Sequence, residues 1–190
     1  MPDLVSLEMC RGKSGGHDAA FVRPVDPCDA DEIYEALRES FIELSPWLPW
    51  CRADYSFEEA TRWCQSRSAA WAIGEAYDFV IVDRKTKEVV GVCGLTSISR
   101  DNNLANLGYW VRTSRTGRSM ASSAARRVAR FGFEALGLAR IEIVASIGNI
   151  ASQRAAEKAG AKREGILRNR SVINGRCTDA VMFSLVPSDL

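Results

Sequence analysis

The apolar positions change period several times along the chain, and the changes divide it into elements. Leu4 to Met9 and Ala20 to Val25 read as short strands separated by the turn-like run 11 to 18, RGKSGGHD. Asp26 before Pro27 supplies a cap and a first helical position. Ile33, Leu37, Phe41 and Leu44 then share one helical face, which Ser45 and Pro46 should end. Ser56 and Glu59 form a capping box for a second helix whose apolar side includes Ala60, Trp63 and Cys64.

Beyond this point the period shortens. Phe79 to Val82, a polar turn at Asp83 to Lys87, and Val89 to Leu95 predict a hairpin, with Leu107 to Val111 as the next strand. Met120, Ala124, Val128, Phe131 and Ala135 recur at steps of three and four, predicting a helix of about four turns that Gly137 stops. Arg140 to Ala145 reads as a strand, and Asn149 to Ala159 as an Ala-rich helix ending at Gly160. Val172 and Ile173 with Ala180 to Val186 read as a hairpin turning at Asn174-Gly175. Strand, two helices, three strands, helix, strand, helix and two strands make an α/β domain with a mixed sheet.

The stretch from Leu107 to Glu134 joins a buried strand to a helix through Arg115, Thr116, Gly117, Arg118 and Ser119. Small side chains there let backbone N–H groups approach a ligand, and the helix dipole adds partial positive charge, so an anionic, phosphorylated ligand is the functional reading. Arg112, Arg115 and Arg118 surround the same spot. In isolation the loop favours a plain turn with solvated arginines, because it carries neither a Walker-type Gly-Lys-Ser/Thr nor a Gly-x-Gly-x-x-Gly.

Composition narrows the classes. The 190 residues are 46% hydrophobic and 26% charged, enough for one domain over residues 1–190, with 1–19 as a variable N-terminal segment. With 25 basic and 24 acidic residues, the net charge of +1 argues against nucleic acid or an anionic membrane as the main partner. No apolar run has the length of a membrane span, and the N-terminus lacks a signal-peptide pattern, so a cytoplasmic protein is expected. Six scattered cysteines without a C-x-x-C pair, and His17 as the sole histidine, predict no metal site. Most of the cysteines read as small buried or half-buried hydrophobes in a reducing compartment.

Several separated segments resemble the GNAT N-acetyltransferases, and within them the Rim-type branch that acetylates ribosomal-protein N-termini. Ser45-Pro46-Trp47-Leu48-Pro49-Trp50 is similar to that branch's "pWlpW", and Leu107-Gly108-Tyr109-Trp110-Val111 to its "iGYwl" strand. Phe131-Gly132-Phe133 through Leu136-Gly137-Leu138 to Arg140-Ile141 resembles "yaF..lgl.Ri". Asn149, Ser152, Glu157-Lys158, Gly160 and Glu164-Gly165 with Leu167-Arg168 follow "N..S....eK.G....G.lr". The resemblance spans Phe21 to Leu185, with Asn174-Gly175 and Asp179 completing its tail.

It implies a mixed, mostly antiparallel sheet with helices on both faces and a V-shaped splay between the fourth and fifth core strands, where acetyl-CoA would lie. Trp110 and Val111 would pair with pantetheine through main chain. The pyrophosphate would rest on Arg115, Thr116, Gly117, Arg118, Ser119, Met120 and Ala121, with Asn149 and Ser152 completing the cofactor site. Trp47, Trp50 and Tyr109 would bind the acceptor, with one tryptophan buried and one facing the cleft. The acceptor would be a protein N-terminus, such as that of a ribosomal protein, or a small amine such as an antibiotic or amino acid, and a homodimer is compatible with this reading. A CoA- or protein-binding module without catalysis is the alternative from another class.

The departures from the pattern fall where the chemistry lies. Thr116 replaces a long polar side chain, and Ser119 replaces the central Gly of the phosphate loop, adding a Cβ and a hydroxyl. Asn106 stands where many relatives have the Glu often assigned as general base, and Asn cannot take up a proton. Glu43, Asp54 and Asp101 are alternatives through water. An α-amine of pKa ~7.8 is about one-seventh neutral at pH 7, against roughly one in several thousand for lysine near ~10.4, so an N-terminal acceptor tolerates loss of that base far better. Ser152 either donates to the leaving thiolate or only satisfies amides near its helix start. Phe183, where relatives often have Tyr, cannot be an alternative donor.

Overall fold

The computed structural model describes residues 19–173 and 175–190. The predicted strand Leu4 to Met9, the run 11 to 18 and Asn174 of the last turn lie outside the described residues. Seven strands form one sheet: β1 (Ala20–Pro24), β2 (Tyr77–Asp83), β3 (Val89–Ser99), β4 (Leu104–Val111), β5 (Arg140–Ser146), β6 (Lys162–Ile173) and β7 (Arg176–Leu185), in the order β1-β2-β3-β4-β5-β7-β6. Every neighbouring pair is antiparallel except β4 and β5. That parallel pair is short. Its register runs only Leu104↔Arg140, Ala105↔Ile141 and Asn106↔Glu142, so Leu107–Val111 and Ile143–Ser146 diverge as the two sides of a V.

The helices are α1 (Ala30–Glu39), α2 (Phe41–Leu44), α3 (Phe57–Ile73), α4 (Met120–Leu136) and α5 (Ile150–Lys158). They cover both faces because the strands in between are apolar on both sides. Phe79 and Ile81 of β2, with Leu95, Leu107 and Val111, pack with Val128 and Phe131 of α4, while Val80, Val82, Val92 and Trp110 pack with Ile33 and Leu37 of α1 and Cys64 of α3. Such burial of apolar surface is the main stabilising contribution, at roughly 25 cal/mol per Å².

Two differences from the sequence reading have identifiable causes. The apolar face from Ile33 to Leu44 is not one helix: α1 ends at Glu39, and buried Ser40 adopts a non-helical conformation and accepts the Thr113 N–H at 2.9 Å. That bond ties the helix end to the segment after β4. The strand read only at Val172 and Ile173 extends back to Lys162, because β6 is a largely exposed edge whose few apolar positions hide its alternation.

Candidate active site

Asn106 sits at the apex of the splay, half-buried at the last paired position before the strands part. Alternation along β4 decides what faces where. Leu107, Tyr109 and Val111 point toward α4 and α5, whereas Trp110 points toward α1 and α3. Tyr109 therefore reaches α5. Its hydroxyl donates to the Ser152 carbonyl at 2.7 Å, and the Ser152 Oγ donates to the Tyr109 oxygen at 3.4 Å. Burial pushes the Tyr109 hydroxyl up to about 12, so it remains protonated at neutral pH.

Ser152 does not cap its helix. Asn149 does, its Oδ1 accepting the Ser152 N–H at 3.0 Å, which leaves the Ser152 hydroxyl for Tyr109. The structure thus joins Ser152 to a partner placed among the acceptor-binding residues by sequence. The signal was present in strand parity, since Tyr109 shares a face with Leu107 and Val111.

The loop before α4 has an unusual backbone conformation. Gly117 (φ 75°) and Ser119 (φ 58°) are both left-handed, so Ser119 holds the backbone shape that normally selects glycine. Its side chain makes no cap, and no protein acceptor takes the N–H groups of residues 117 to 122 among the described residues. Thr116 spends its hydroxyl on the Thr113 carbonyl at 2.9 Å. Met120 is buried under the loop and Ala121 half-buried.

The three arginines separate. Arg112 pairs with Glu39, which also accepts the Ser114 N–H at 2.9 Å, and the guanidinium holds the Glu39 carboxyl down to about 2. Arg115 pairs with Glu88 at 2.6 Å and reaches toward Asp83. Arg118 remains exposed beside the open amides.

On the other face of β4 lies a cavity of about 540 Å³, walled by Ile33, Leu37, Leu48, Trp50, Tyr55 and Trp63 and floored by Val92, Gly94, Gly108 and Trp110. Trp50, 41% exposed, stands beside Tyr55 with ring centroids 6.1 Å apart. Trp47 is half-buried and lies against Gly148, between β5 and α5, where an added Cβ would come within 3.3 Å of its ring. The two tryptophans thus divide, Trp50 to the cavity and Trp47 to the far side of the V. The three alternative acids are otherwise engaged or remote: Glu43 accepts from Thr113 at 3.1 Å, Asp54 pairs with Arg52 at 3.0 Å, and Asp101 is exposed.

Sequence reasoning missed Asp78, which also lines this cavity although only 8% exposed. It sits in β2, one residue ahead of the stretch read as a strand, and no local pattern in the sequence marks it.

A sheet that parts between a parallel pair, with open amides at the following helix and paired hydroxyls across the gap, defines an acyltransferase of the GNAT fold class. Residues 20–162 match the family model described as Acetyltransferase (GNAT) domain, and the chain belongs to that family. It is 34% identical to the uncharacterized N-acetyltransferase p20 of Bacillus licheniformis over 60% of this chain and 64% of that protein, so it spans just under two thirds of that relative. It is 24% identical to the ribosomal-protein-serine acetyltransferase of Escherichia coli over 81% of this chain and 85% of that one. The structure of Mycobacterium smegmatis RimJ in complex with CoA-disulfide superposes with a TM-score of 0.81 at 25% identity, covering 90% of this chain and 83% of that chain. Rim-type acetyltransferases are thus among both its relatives and its structural neighbours.

Proposed function

We propose that this protein transfers an acetyl group from acetyl-CoA to a primary amine, and that the acceptor is the α-amine of a protein or peptide N-terminus. The observation that carries the reading is the meeting of three features at one place: the β4–β5 splay, the open amides at 117 to 122, and the Tyr109–Ser152 hydroxyl pair. Amides at a helix start suit a pyrophosphate, with Arg118 adding charge. Main chain of Trp110 and Val111, unpaired on the splayed side, would align pantetheine. The RimJ structure contains CoA-disulfide, and the E. coli relative is named for a ribosomal protein, which supports this cosubstrate and this acceptor class. Such an acceptor would be met in the cytoplasm; no helix among the described residues is long and apolar enough to cross a membrane.

In the reaction the neutral amine forms the C–N bond as the C–S bond breaks. Tyr109 or Ser152 donates a proton to the departing sulfur and regains one as the new amide loses its own. Positioned general acids contribute about 10²- to 10⁴-fold. Spectroscopic thiol release tests this with peptides beginning Ser or Ala, their N-blocked counterparts carrying a lysine, and small amines. Release with free N-termini and little with blocked peptides is expected. Release only with small amines would move the acceptor class, and none with any amine, despite acetyl-CoA binding by calorimetry, would leave a non-catalytic module.

A further inference from the structure

The β3 and β4 positions opposite Asp78 are both glycine. The register runs Asp78↔Gly94 between β2 and β3, and Gly94↔Gly108 between β3 and β4, so one row across the sheet carries a carboxylate followed by two residues without side chains. A Cβ on Gly94 would lie 2.4 Å from Asp78 Oδ1, so that oxygen rests over Gly94 and requires its bareness. Nothing approaches within 4 Å of the position a Cβ would take on Gly108. With strands about 4.8 Å apart, the carboxylate oxygen over Gly94 stands roughly one strand spacing from β4, on the cavity side.

The two oxygens of Asp78 differ. Oδ2 accepts from Arg67 Nη1 at 3.0 Å, and Arg67 is itself fixed by the Trp63 carbonyl at 3.2 Å and by its place 5.1 Å over the Trp63 ring. Oδ1 accepts from no protein donor among the described residues, although the side chain is nine-tenths buried. The other charged or titratable groups nearby do not compete for it. Glu59 and Arg62 of α3 and Arg52 and Tyr55 ahead of it line the cavity wall, Glu59 is paired with Arg52 at 2.9 Å, and Cys93 of β3 faces the opposite core.

We infer that Asp78 receives the acceptor: the substrate ammonium docks on Oδ1 above Gly94 and gives its proton to that carboxylate, and the resulting amine attacks across the Gly108 lane. The first proton leaves the ammonium for Asp78 and passes to solvent through the cavity after turnover. The second, lost as the amide forms, balances the one delivered to sulfur by Tyr109 or Ser152, so each cycle releases a single proton. Burial raises the Asp78 carboxyl above the ordinary aspartate value, against the opposing pull of Arg67, a shift in the direction that favours taking up a proton. Asp78 thereby does what Asn106 cannot. The aromatic walls fit an acceptor with an apolar side chain near its amine.

The proton step rests on the acetyl-transfer reading; the ammonium site does not. Calorimetric titration of a Ser-Leu-Phe tripeptide amide and its N-acetylated form into the CoA-loaded protein should show at least about tenfold preference for the free amine, abolished in Asp78→Asn. In thiol-release assays, kcat/KM for the free peptide should be flat from pH 6 to 7.5 in the wild type. In Asp78→Asn it should fall by about 10²-fold at pH 7 and climb tenfold per pH unit toward the amine's pKa of ~7.8. Asp78→Glu should recover part of the loss. If Asp78→Asn is poorly folded by circular dichroism, Arg67→Met keeps the carboxylate and should move the acidic limb of the profile to higher pH. An unchanged amine preference, a proportional loss with the wild-type pH slope, or an unmoved limb in Arg67→Met overturns the inference. Loss of amine preference in Asp78→Asn with no thiol release even by wild type would keep the ammonium site and remove the acetyl-transfer reading.

Discussion

On one side of β4, Tyr109 meets Ser152 and the amides after Thr116 lie open; on the other, Gly108 and Gly94 clear a lane to Asp78. The first side is made largely by one continuous stretch of chain, strand to loop to helix, with α5 contributing a single hydroxyl. The second gathers Trp50, Trp63, Asp78, Gly94 and Gly108 from five separate segments. On the proposed reading, the difference lies in what each side would recognise. A phosphate is held by backbone, whose donors follow from local conformation, so a loop of few residues suffices. An amine is selected by side-chain charge in an apolar enclosure, and that requires groups converging from distant positions.

The comparison breaks most visibly at Tyr109. Tyr109→Phe removes the hydroxyl while keeping the ring in the core, so kcat should fall by about 10²-fold with acetyl-CoA affinity unchanged, measured by thiol release and calorimetry. An unchanged kcat would return Ser152 to acting alone, and a matching loss of CoA affinity would make the pair a binding feature. A smaller effect is expected in the phosphate loop. Ser119→Gly relieves a left-handed serine, a conformation costing on the order of 1 kcal/mol, and opens space above the amides, so acetyl-CoA should bind a few-fold more tightly while the acceptor KM stays put. Weaker binding would show instead that the Ser119 hydroxyl donates to the phosphate.

The same contrast explains what was legible beforehand. The helix of Met120 to Leu136 and its stop at Gly137 followed from period and glycine, and the capping box at Ser56 and Glu59 is present with both bonds formed. The loop before α4 stood out in the sequence because the residues that shape it are neighbours along the chain. Ser119 looked like a defect, yet its φ shows that the loop keeps its shape and carries the strain. The break at Ser40 was not legible, since it answers a bond from Thr113, 73 positions away. Asp78 was missed for the same reason. Its meaning depends on Gly94 and Gly108 standing beside it in register, and no local pattern announces a cross-strand row of this kind.

The division of labour across β4 is tested most directly by amide hydrogen exchange of the protein alone, with acetyl-CoA, and with the acceptor peptide. Acetyl-CoA should protect Leu107–Val111 and residues 117 to 122, while the peptide should protect the cavity-lining segments of α1 and α3. Protection of the α1 and α3 segments by acetyl-CoA, with residues 117 to 122 exchanging freely, would contradict it.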